Sequence, residues 1–240
     1  MSVFTGVSRF SCLVVVLSLV MGLATTGSAG AAGTVVALWH MDEATGATTM
    51  DDSSGNNNNG SLINVITGLP SASCHLNSCY SFQGTPSVAV VPHSNTLNPG
   101  TQDITLTEWV NTGVIPPPAV GDYDMIRKGL GSATGGDYKM EVKPRNQGTA
   151  AKLLCLFQDS SGKGGQLIKG PNLADNKWHQ VQCRRTATNI QAIVDGRVWT
   201  KSIAIGSISN TEDVTVGARS PQGGDQYTGL MDEVSITIGG

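Results

Sequence analysis

From residue 32 onward, short runs rich in Val, Ile and Thr alternate with clusters of Gly, Asn, Asp, Ser and Pro. No segment of this stretch keeps apolar residues at a 3.6-residue period over three turns, so the pattern predicts no substantial helix. About ten to thirteen short strands at this spacing are typical of a β-sandwich. The strongest hairpin signal is Asp195-Gly196, which lies between two strand-like runs. The sequence therefore predicts one all-β domain at 32–240.

Residues 1–31 have the pattern of a secretory signal peptide. Arg9 precedes an apolar run at 12–23, and the small residues Ala-Gly-Ala at 29–31 have the spacing that signal peptidase accepts. The apolar run is shorter than the roughly 20 residues that span a bilayer, which disfavours an uncleaved membrane anchor. We therefore expect export, cleavage near Ala31 and a mature chain with no membrane span.

The charge balance bears on the partner. Charged residues make up 14% of the chain, the formal net charge is -3, and no basic cluster is present in the sequence. Proteins that bind nucleic acid concentrate Lys and Arg on one face, so this composition disfavours a nucleic acid partner.

Four cysteines remain once the predicted cleavage removes Cys12. An even number in an oxidising compartment favours two disulfides, for which the sequence alone allows three pairings. Cys74 and Cys79 enclose a short loop, while Cys155 and Cys183 lie in two separate apolar runs. We predict the pairs 74–79 and 155–183, the second joining neighbouring strands, with free buried thiols as the alternative. A metal site is disfavoured because no His stands at a ligand spacing from these cysteines.

The alternation over 229–238 indicates which side of the last strand is buried. Leu230, Val234, Ile236 and Ile238 share one parity, and Asp232 stands on the same face. A buried carboxylate is unfavourable unless it is paired, hydrogen-bonded or bound to a metal. Asp232 therefore needs a partner, which is either a set of turn amides or a calcium ion.

Six stretches, in order along the chain, resemble a known family. The first contains Trp39, Asp42-Glu43 and 52–56 (Asp-Ser-Ser-Gly-Asn), and it is similar to the opening "W-x-F-D-E…D-S-S-G-N" of laminin-G-like domains. The other stretches lie at 80–84 with 88–92, 104–110, 175–181, 194–196, and 216–217 with 229–234. Each is weak alone, but together they cover nearly all of the mature chain.

This resemblance implies a concanavalin A-like jelly-roll sandwich of two antiparallel sheets. It also implies binding of a carbohydrate or a protein ligand, often with calcium, although one fold hosts many functions. In related sandwiches an acidic residue near each end of the domain meets at one ion, which nominates Glu43, Asp52 and Asp232 as calcium ligands. Some secreted members also carry a Cys pair in the strands where Cys155 and Cys183 lie.

Aromatic side chains are the candidates for contact with a sugar. Trp39, Trp109 and Trp178 lie in apolar strands, which favours packing in the core. Trp199 is different because it lies near a hairpin turn, where an exposed ring would offer a sugar a flat apolar platform. The candidates for a ligand-binding face are Trp199, Tyr123, Tyr138 and Tyr227.

Glycoside hydrolysis or polysaccharide cleavage is an alternative, because the same superfamily contains retaining glucanases. The sequence lacks their "E-x-D-x-x-E" strand, a Ser elbow, a His-Glu-x-x-His helix and the paired His and Tyr motifs of polysaccharide lyases. Asp137 and Glu141 share a strand face but stand roughly 13 Å apart, too far for a hydrolase pair. Asp122 and Asp124, about 7 Å apart if extended, are interpreted as loop charges.

These observations predict a secreted, non-catalytic binding module whose partner is a glycan or polysaccharide. The alternative is a protein-adhesion module that contacts an extracellular protein through the rim loops 113–124 and 219–226. An exposed apolar patch on those loops would favour the alternative.

Overall fold

The described part of the chain contains sixteen β-strands. The computed structural model describes residues 1–3, 32–84 and 86–240. The predicted signal segment lies outside these residues apart from 1–3. The strands are β1 (Thr34–Trp39), β2 (Thr49–Met50), β3 (Gly60–Ile63), β4 (Val65–Ile66), β5 (Tyr80–Phe82), β6 (Val88–Val91), β7 (Ile104–Asn111), β8 (Tyr123–Lys128), β9 (Asp137–Arg145), β10 (Ala150–Gln158), β11 (Gly164–Lys169), β12 (Trp178–Arg185), β13 (Asn189–Val194), β14 (Arg197–Ser202), β15 (Val214–Val216) and β16 (Gly229–Ile238).

The helical content described is limited to three single turns of 3-10 helix, at Ser71–Ser73, Asn95–Leu97 and Asn146–Gly148. No helix in the described part of the chain has the length and apolarity to cross a membrane. The chain divides into two units, and the second, Ala31–Gly240, contains all sixteen strands.

The strands form two antiparallel sheets of eight strands each. The first sheet has the order β14-β13-β12-β7-β16-β5-β4, and β1 pairs with β16. The second sheet has the order β11-β10-β9-β8-β15-β6-β3-β2. The predicted all-β sandwich of two antiparallel sheets is confirmed.

The core lies between the two sheets, because alternate residues of each strand point to the same side. From the first sheet it receives Leu106, Ala192 and Ile236, and from the second it receives Met140 and Phe157, all of them fully buried. Both sheets thus bury one face against the other, as a β-sandwich requires.

The two predicted disulfides are confirmed. Cys74 pairs with Cys79 and closes a short loop, and Cys155 pairs with Cys183. The expectation that the second pair joins neighbouring strands is wrong, because β10 and β12 belong to different sheets. This disulfide therefore links the two sheets across the core.

The hairpin signal is also confirmed. Val194 pairs with Arg197, which leaves Asp195-Gly196 as a two-residue turn between β13 and β14. Both turn residues have positive φ, +50° and +77°. Positive φ at both positions defines the tight turn whose twist matches that of paired strands.

One segment interpreted as loop is a central strand. The charged residues around Asp124 belong to β8, and all six of its residues are buried. The Arg127 guanidinium donates to the Asp124 carboxylate at 2.7 Å, and the Lys128 ammonium donates to the Glu212 carbonyl. Because these charges are paired or hydrogen-bonded locally, the strand can carry them inside the sheet.

Candidate functional site

A β-bulge in β16 places Asp232 on the outer side of the first sheet. The register between β16 and β7 shifts between Asp232 and Ser235, and Glu233 has a φ of +50°. Such a bulge adds one residue and inverts the alternation of side chains. Met231 and Val234 therefore both face the core, while Asp232 lies opposite Trp109 on the outer side. The predicted face shared by Asp232 and Val234 is wrong.

Trp109 and Trp178 lie on this same outer side, so their predicted place in the core is also wrong. In β7 the buried parity passes through Glu108 instead of Trp109. The His75 ring stacks on Trp109 with centroids 3.5 Å apart, and the Trp178 indole N–H donates to the Ser73 carbonyl at 3.3 Å. The Cys74–Cys79 loop thus rests on both tryptophans.

Trp39 follows the prediction, since it is fully buried between the sheets. Its indole N–H donates to the carbonyl of Asn58 at 2.8 Å, which satisfies the one polar atom of the side chain.

Asp232 has a structural partner in the disulfide loop. The backbone N–H of Leu76 donates to its Oδ2 at 2.8 Å. Burial raises the pKa of this carboxyl to about 6, and the N–H of Leu76 opposes that shift. Of the two partners expected for Asp232, the structure contains the turn amide.

The nominated calcium ligands do not converge on one point. Asp52 accepts hydrogen bonds from the backbone N–H groups of Leu38, Ser54 and Asn58, each at 2.9 Å. Burial opposes ionisation, but these donors outweigh it and lower the pKa of Asp52. Glu43 accepts from the backbone N–H of Asp51 at 2.8 Å and also from a tyrosine hydroxyl.

The carboxylates of Glu43, Asp52 and Asp232 are therefore held by separate segments. Donors engage both oxygens of Glu43 and of Asp52, whereas Asp232 accepts through Oδ2 and its buried Oδ1 has no hydrogen-bond partner among the described residues. Within residues 32–84 and 86–240 no group of three or more His, Cys, Asp or Glu side chains is placed to hold a metal ion. The three residues do not fit a shared calcium site.

Asp52→Ala is expected to lower the free energy of unfolding by about 2 kcal/mol, because it leaves three backbone N–H groups without their acceptor. The loss should be the same in calcium and in chelator, as measured by urea unfolding. Asp52→Asn, which keeps one acceptor oxygen, should lose less. A loss seen only in calcium would make Asp52 an ion ligand after all.

Two of the aromatic ligand candidates are closed off by burial. Tyr138 and Tyr227 are 0% exposed, and their hydroxyls donate to the carbonyls of Leu97 at 3.1 Å and Leu230 at 3.2 Å. Neither ring has a face open to a ligand, so the hypothesis that they line a binding face is wrong. Tyr123 is buried to a lesser degree and lines a surface cleft.

Trp199 is half-buried, not freely exposed. It packs against the core from β14, and the Arg197 guanidinium lies 4.8 Å from its ring centroid. One ring face is therefore covered by a cation, and the bare sugar platform expected at this position is absent from the described structure.

Two connected clefts lie at one end of the sandwich, where β7 and β5 end and β12 and β16 begin. Their volumes are about 380 Å³ and 300 Å³, and they share Gly84 and Thr228. We refer to both together as the end groove. Its lining residues are Ser81, Gln83, Gly84, Asn111, Thr112, Gly113, Val114, Val120, Tyr123, Asn176, Gly224, Asp225, Gln226, Thr228, Gly229 and Leu230. The two rim loops predicted at 113–124 and 219–226 meet here.

The end groove is polar and nearly uncharged. Asp225 is the one charged side chain among its described lining residues, and burial next to Asp122 and Asp124 raises the pKa of Asp225. Within the described chain, the side-chain amides of Asn111 and Asn176 have no hydrogen-bond partner. Each amide offers two donors and an acceptor, which is the complement of neighbouring hydroxyl groups.

Two glycines allow close packing at the groove: Gly113 leaves room for the Asn176 side chain, and Gly229 lets β16 approach the backbone of Asn111. A Cβ on Gly113 would lie 2.1 Å from the Asn176 amide oxygen, and a Cβ on Gly229 would lie 2.5 Å from the Asn111 carbonyl oxygen. Gly229 also has a φ of +148°, a backbone angle that residues with a side chain rarely adopt. Tyr123 and the two rim loops were the sequence signals for this groove, whereas glycines are too common in this chain to be distinctive.

The closest approach to an acid–base pair lies in the second sheet. Asp124 on β8 is directly opposite Glu141 on β9, and Glu141 pairs with Lys139. Burial and the nearby charge of Asp124 raise the pKa of Glu141 to about 8. Asp124 and Glu141 are 0% and 1% exposed, so a polymeric substrate has no access to either carboxyl.

Comparison with known proteins identifies the family. The family model for laminin-G-type domains, described as the concanavalin A-like lectin/glucanases superfamily, matches residues 82–237, well over half of the chain. The chain belongs to this superfamily. The resemblance seen in the sequence motifs is thereby confirmed. A comparison with curated proteins found no match.

Solved structures similar to this concanavalin A-like domain include two toxin domains and one domain of an enzyme. The binding domain of Paraclostridial Mosquitocidal Protein 1 has a TM-score of 0.60 at 16% identity, covering 86% of this chain and 49% of that one. The binding domain of botulinum neurotoxin serotype D has a TM-score of 0.57 at 13% identity, covering 86% and 48%.

The third is domain 4 of an extracellular arabinanase from Geobacillus stearothermophilus, solved in complex with arabinotriose. It has a TM-score of 0.59 at 12% identity, with coverage of 87% of this chain and 94% of that one. The chain thus spans about half the length of the toxin binding domains. At these identities the likeness shows the shared fold alone.

Proposed function

We propose that this domain is a secreted, non-catalytic carbohydrate-binding module and that its ligand occupies the end groove. The observation that carries the proposal is the pair of unengaged side-chain amides, Asn111 and Asn176, in a groove with one charged side chain. A few convergent polar groups in a concave surface fix the orientation of a ligand.

The walls of the groove match the two kinds of surface on a sugar. Hydroxyl groups need donors and acceptors close together, which the amides of Asn111, Asn176 and Gln83 provide. The C–H faces of a sugar ring need apolar contact, which Val114 and Leu230 provide. Because the groove has almost no fixed charge, we expect a neutral glycan at this site.

The similar structures support the proposal by analogy. The match with the arabinanase domain extends over 94% of that domain, which was solved in complex with arabinotriose. The toxin domains are named as binding domains. Since one fold hosts many functions, the analogy supports binding as the function and leaves the identity of the glycan to experiment.

Secretion is supported by the signal pattern at 1–31 and by the two disulfides, since disulfides persist in oxidising compartments. We propose that the mature chain is the domain at 32–240. A non-catalytic role is supported by the burial of Asp124 and Glu141. Prolonged incubation with the bound polysaccharide should release no new reducing ends, and their release would refute this part.

The double variant Asn111→Ala/Asn176→Ala is expected to weaken glycan binding roughly tenfold or more, since each amide hydrogen bond to a sugar contributes about 1 kcal/mol. A panel of polysaccharides first identifies a ligand for the wild-type domain. Calorimetric titration then compares the double variant with the wild type.

Asn189→Ala is the matched control, because Asn189 lies on β13 of the same sheet and outside the groove. It should bind as the wild type does. Each titration is run with calcium and again with chelator, and the groove geometry predicts equal affinity in both. Glycan binding that survives the double variant would overturn the end groove as the site.

Protein adhesion is the second candidate, favoured by one observation. Val114 and Val120, on the rim loop at 113–124, are 39% and 40% exposed at the mouth of the groove. Exposed apolar side chains clustered at a loop tip mark protein contacts in other proteins. A domain that binds no polysaccharide in the panel, yet loses binding to an extracellular protein on Val114→Ser/Val120→Ser, would establish this candidate instead.

A further inference from the structure

A second cleft, of about 470 Å³, opens between the edge strands of the two sheets, β14 and β11. We call it the edge cleft. Trp199 and Arg197 line it from the first sheet, and Lys169 and Lys152 line it from the second. The other lining residues are Gly170, Pro171, Val194 and Asp195. None of these residues belongs to the lining of the end groove.

The edge cleft has an excess of positive charge that the described chain does not balance. Within the described residues, Lys152, Lys169 and Arg197 take part in no ion pair. Among the described lining residues, Asp195 is the one carboxylate. It is hydrogen-bonded to the His179 ring at 2.7 Å and accepts from the backbone N–H of Gln180 at 3.0 Å. Three unpaired cations therefore share a small concave surface in a chain whose net charge is -3.

The Trp199 ring holds the Arg197 guanidinium in place. The guanidinium lies over the ring at 4.8 Å, a favourable arrangement of a cation on an aromatic face. An arginine fixed in this way loses less side-chain freedom when it binds a ligand, and its planar donors match a carboxylate or sulfate group. Trp199 thereby acts through Arg197 and not as a stacking surface.

We propose that the edge cleft binds the acidic groups of an anionic polysaccharide, with Arg197 and Lys169 as the main contacts. The shared chemistry is an oxyanion on a sugar ring, either the carboxylate of a uronic acid or a sulfate ester. Lys152, which also lines the cleft, adds to the positive field. The site does not depend on the end groove, because the two share no lining residue.

A polysaccharide fits the cleft better than a nucleic acid does. Nucleic acid binding uses positive charge along an extended surface, and single strands also stack their bases on open aromatic faces. Here three cations line one cleft, and the Arg197 guanidinium lies over the Trp199 ring. The exposed ring of Pro171 provides apolar contact for the C–H face of a sugar ring.

The test compares binding of the domain to polygalacturonate, to dextran sulfate and to a neutral galactan at low and high salt. The double variant Arg197→Gln/Lys169→Gln should bind the anionic polymers at least roughly tenfold more weakly than the wild type, because it removes two charge-assisted contacts. Its binding to anionic polymers should also depend less on salt. The stronger of the two anionic ligands identifies carboxylate or sulfate as the natural group.

The matched control is Arg145→Gln/Lys163→Gln, which removes the same charge from two exposed residues outside the cleft. It should bind as the wild type does. Equal losses in both double variants would overturn the proposal in favour of non-specific attraction. Tighter binding of a single-stranded oligonucleotide than of either anionic polysaccharide would also overturn it. Binding at the end groove is tested separately, by titrating a neutral glycan into the Asn111→Ala/Asn176→Ala variant.

Discussion

Replacing Glu108 with Leu should stabilise the domain at neutral pH by about 2 kcal/mol, the cost of a buried polar group without a partner, which for a domain of this size raises Tm by roughly 4–8 °C. Glu108 lies on β7 and points into the core, where it is 0% exposed. Within the described residues neither oxygen of its carboxyl has a hydrogen-bond partner. A leucine of similar volume would pack there without a polar group to desolvate.

The size of the gain depends on pH. Burial raises the pKa of Glu108 well above its usual value of 4.5. Below about pH 4.5 the carboxyl is protonated in both the folded and the unfolded chain, so it adds no pH dependence. Above that pH the unfolded chain ionises while the folded chain holds its proton, and the wild type loses about 1.4 kcal/mol per pH unit until the raised pKa is reached.

Chemical unfolding of the wild type and Glu108→Leu at pH 5 and pH 7 measures this effect. Glu108→Gln is the control, because it keeps the shape and polarity of the side chain but cannot ionise. Its stability relative to the wild type should rise from pH 5 to pH 7, although it retains an unsatisfied buried amide. If the difference in free energy of unfolding between the wild type and Glu108→Gln were the same at pH 5 and pH 7, the pKa of Glu108 would not be raised.

The parts of the fold that follow from local chemistry were predictable from the sequence. The Asp195-Gly196 turn is one example, since positive φ at two consecutive positions favours Asp or Asn followed by Gly. The burial of Trp39 and the pairing of the cysteines are others. In each case a few adjacent residues, or the count of one residue type, carried the necessary information.

The orientation of β7 could not be predicted, because it reverses the usual preference of two neighbouring residues. Glu108 enters the core and Trp109 faces outward, since the parity of Ile104 and Leu106 decides which side is buried. A shift by one residue would expose all of the other apolar side chains of the strand. The bulge at Glu233 in β16 has a similar effect, since it inverts a parity that appears continuous in the sequence.

Tyr123 and the two rim loops were predicted as contacts, but the groove that they form with Asn111 and Asn176 could not be, because its residues come from distant segments. Asn111 ends one strand, Asn176 lies in a loop, and Tyr123 begins a strand that was interpreted as a loop. Asn176 belongs to the family-like stretch 175–181, but that pattern does not mark it as a ligand contact. The separation of the nominated calcium ligands has a related cause, because hydrogen bonds from nearby backbone N–H groups engage the oxygens of Asp52.

Removing the disulfide between Cys155 and Cys183 should destabilise the domain by about 3–4 kcal/mol. The two cysteines are 28 residues apart in sequence, and the bond joins the two sheets through the core. A cross-link of that span restricts the unfolded chain considerably, so its loss favours unfolding. The variant Cys155→Ala/Cys183→Ala, unfolded in denaturant without reductant, measures the effect.

The disulfide between Cys74 and Cys79 provides the comparison, because its span is only 5 residues. The same relation gives a loss of about 2 kcal/mol for Cys74→Ala/Cys79→Ala. The shorter bond closes the loop in which His75 stacks on Trp109 and the backbone N–H of Leu76 donates to Asp232. Removal of this bond should therefore also change tryptophan fluorescence in the folded state. If the Cys74–Cys79 variant lost as much stability as the other, the loop would stabilise the sheet mainly through its contacts, and the chain-entropy account of both bonds would be wrong.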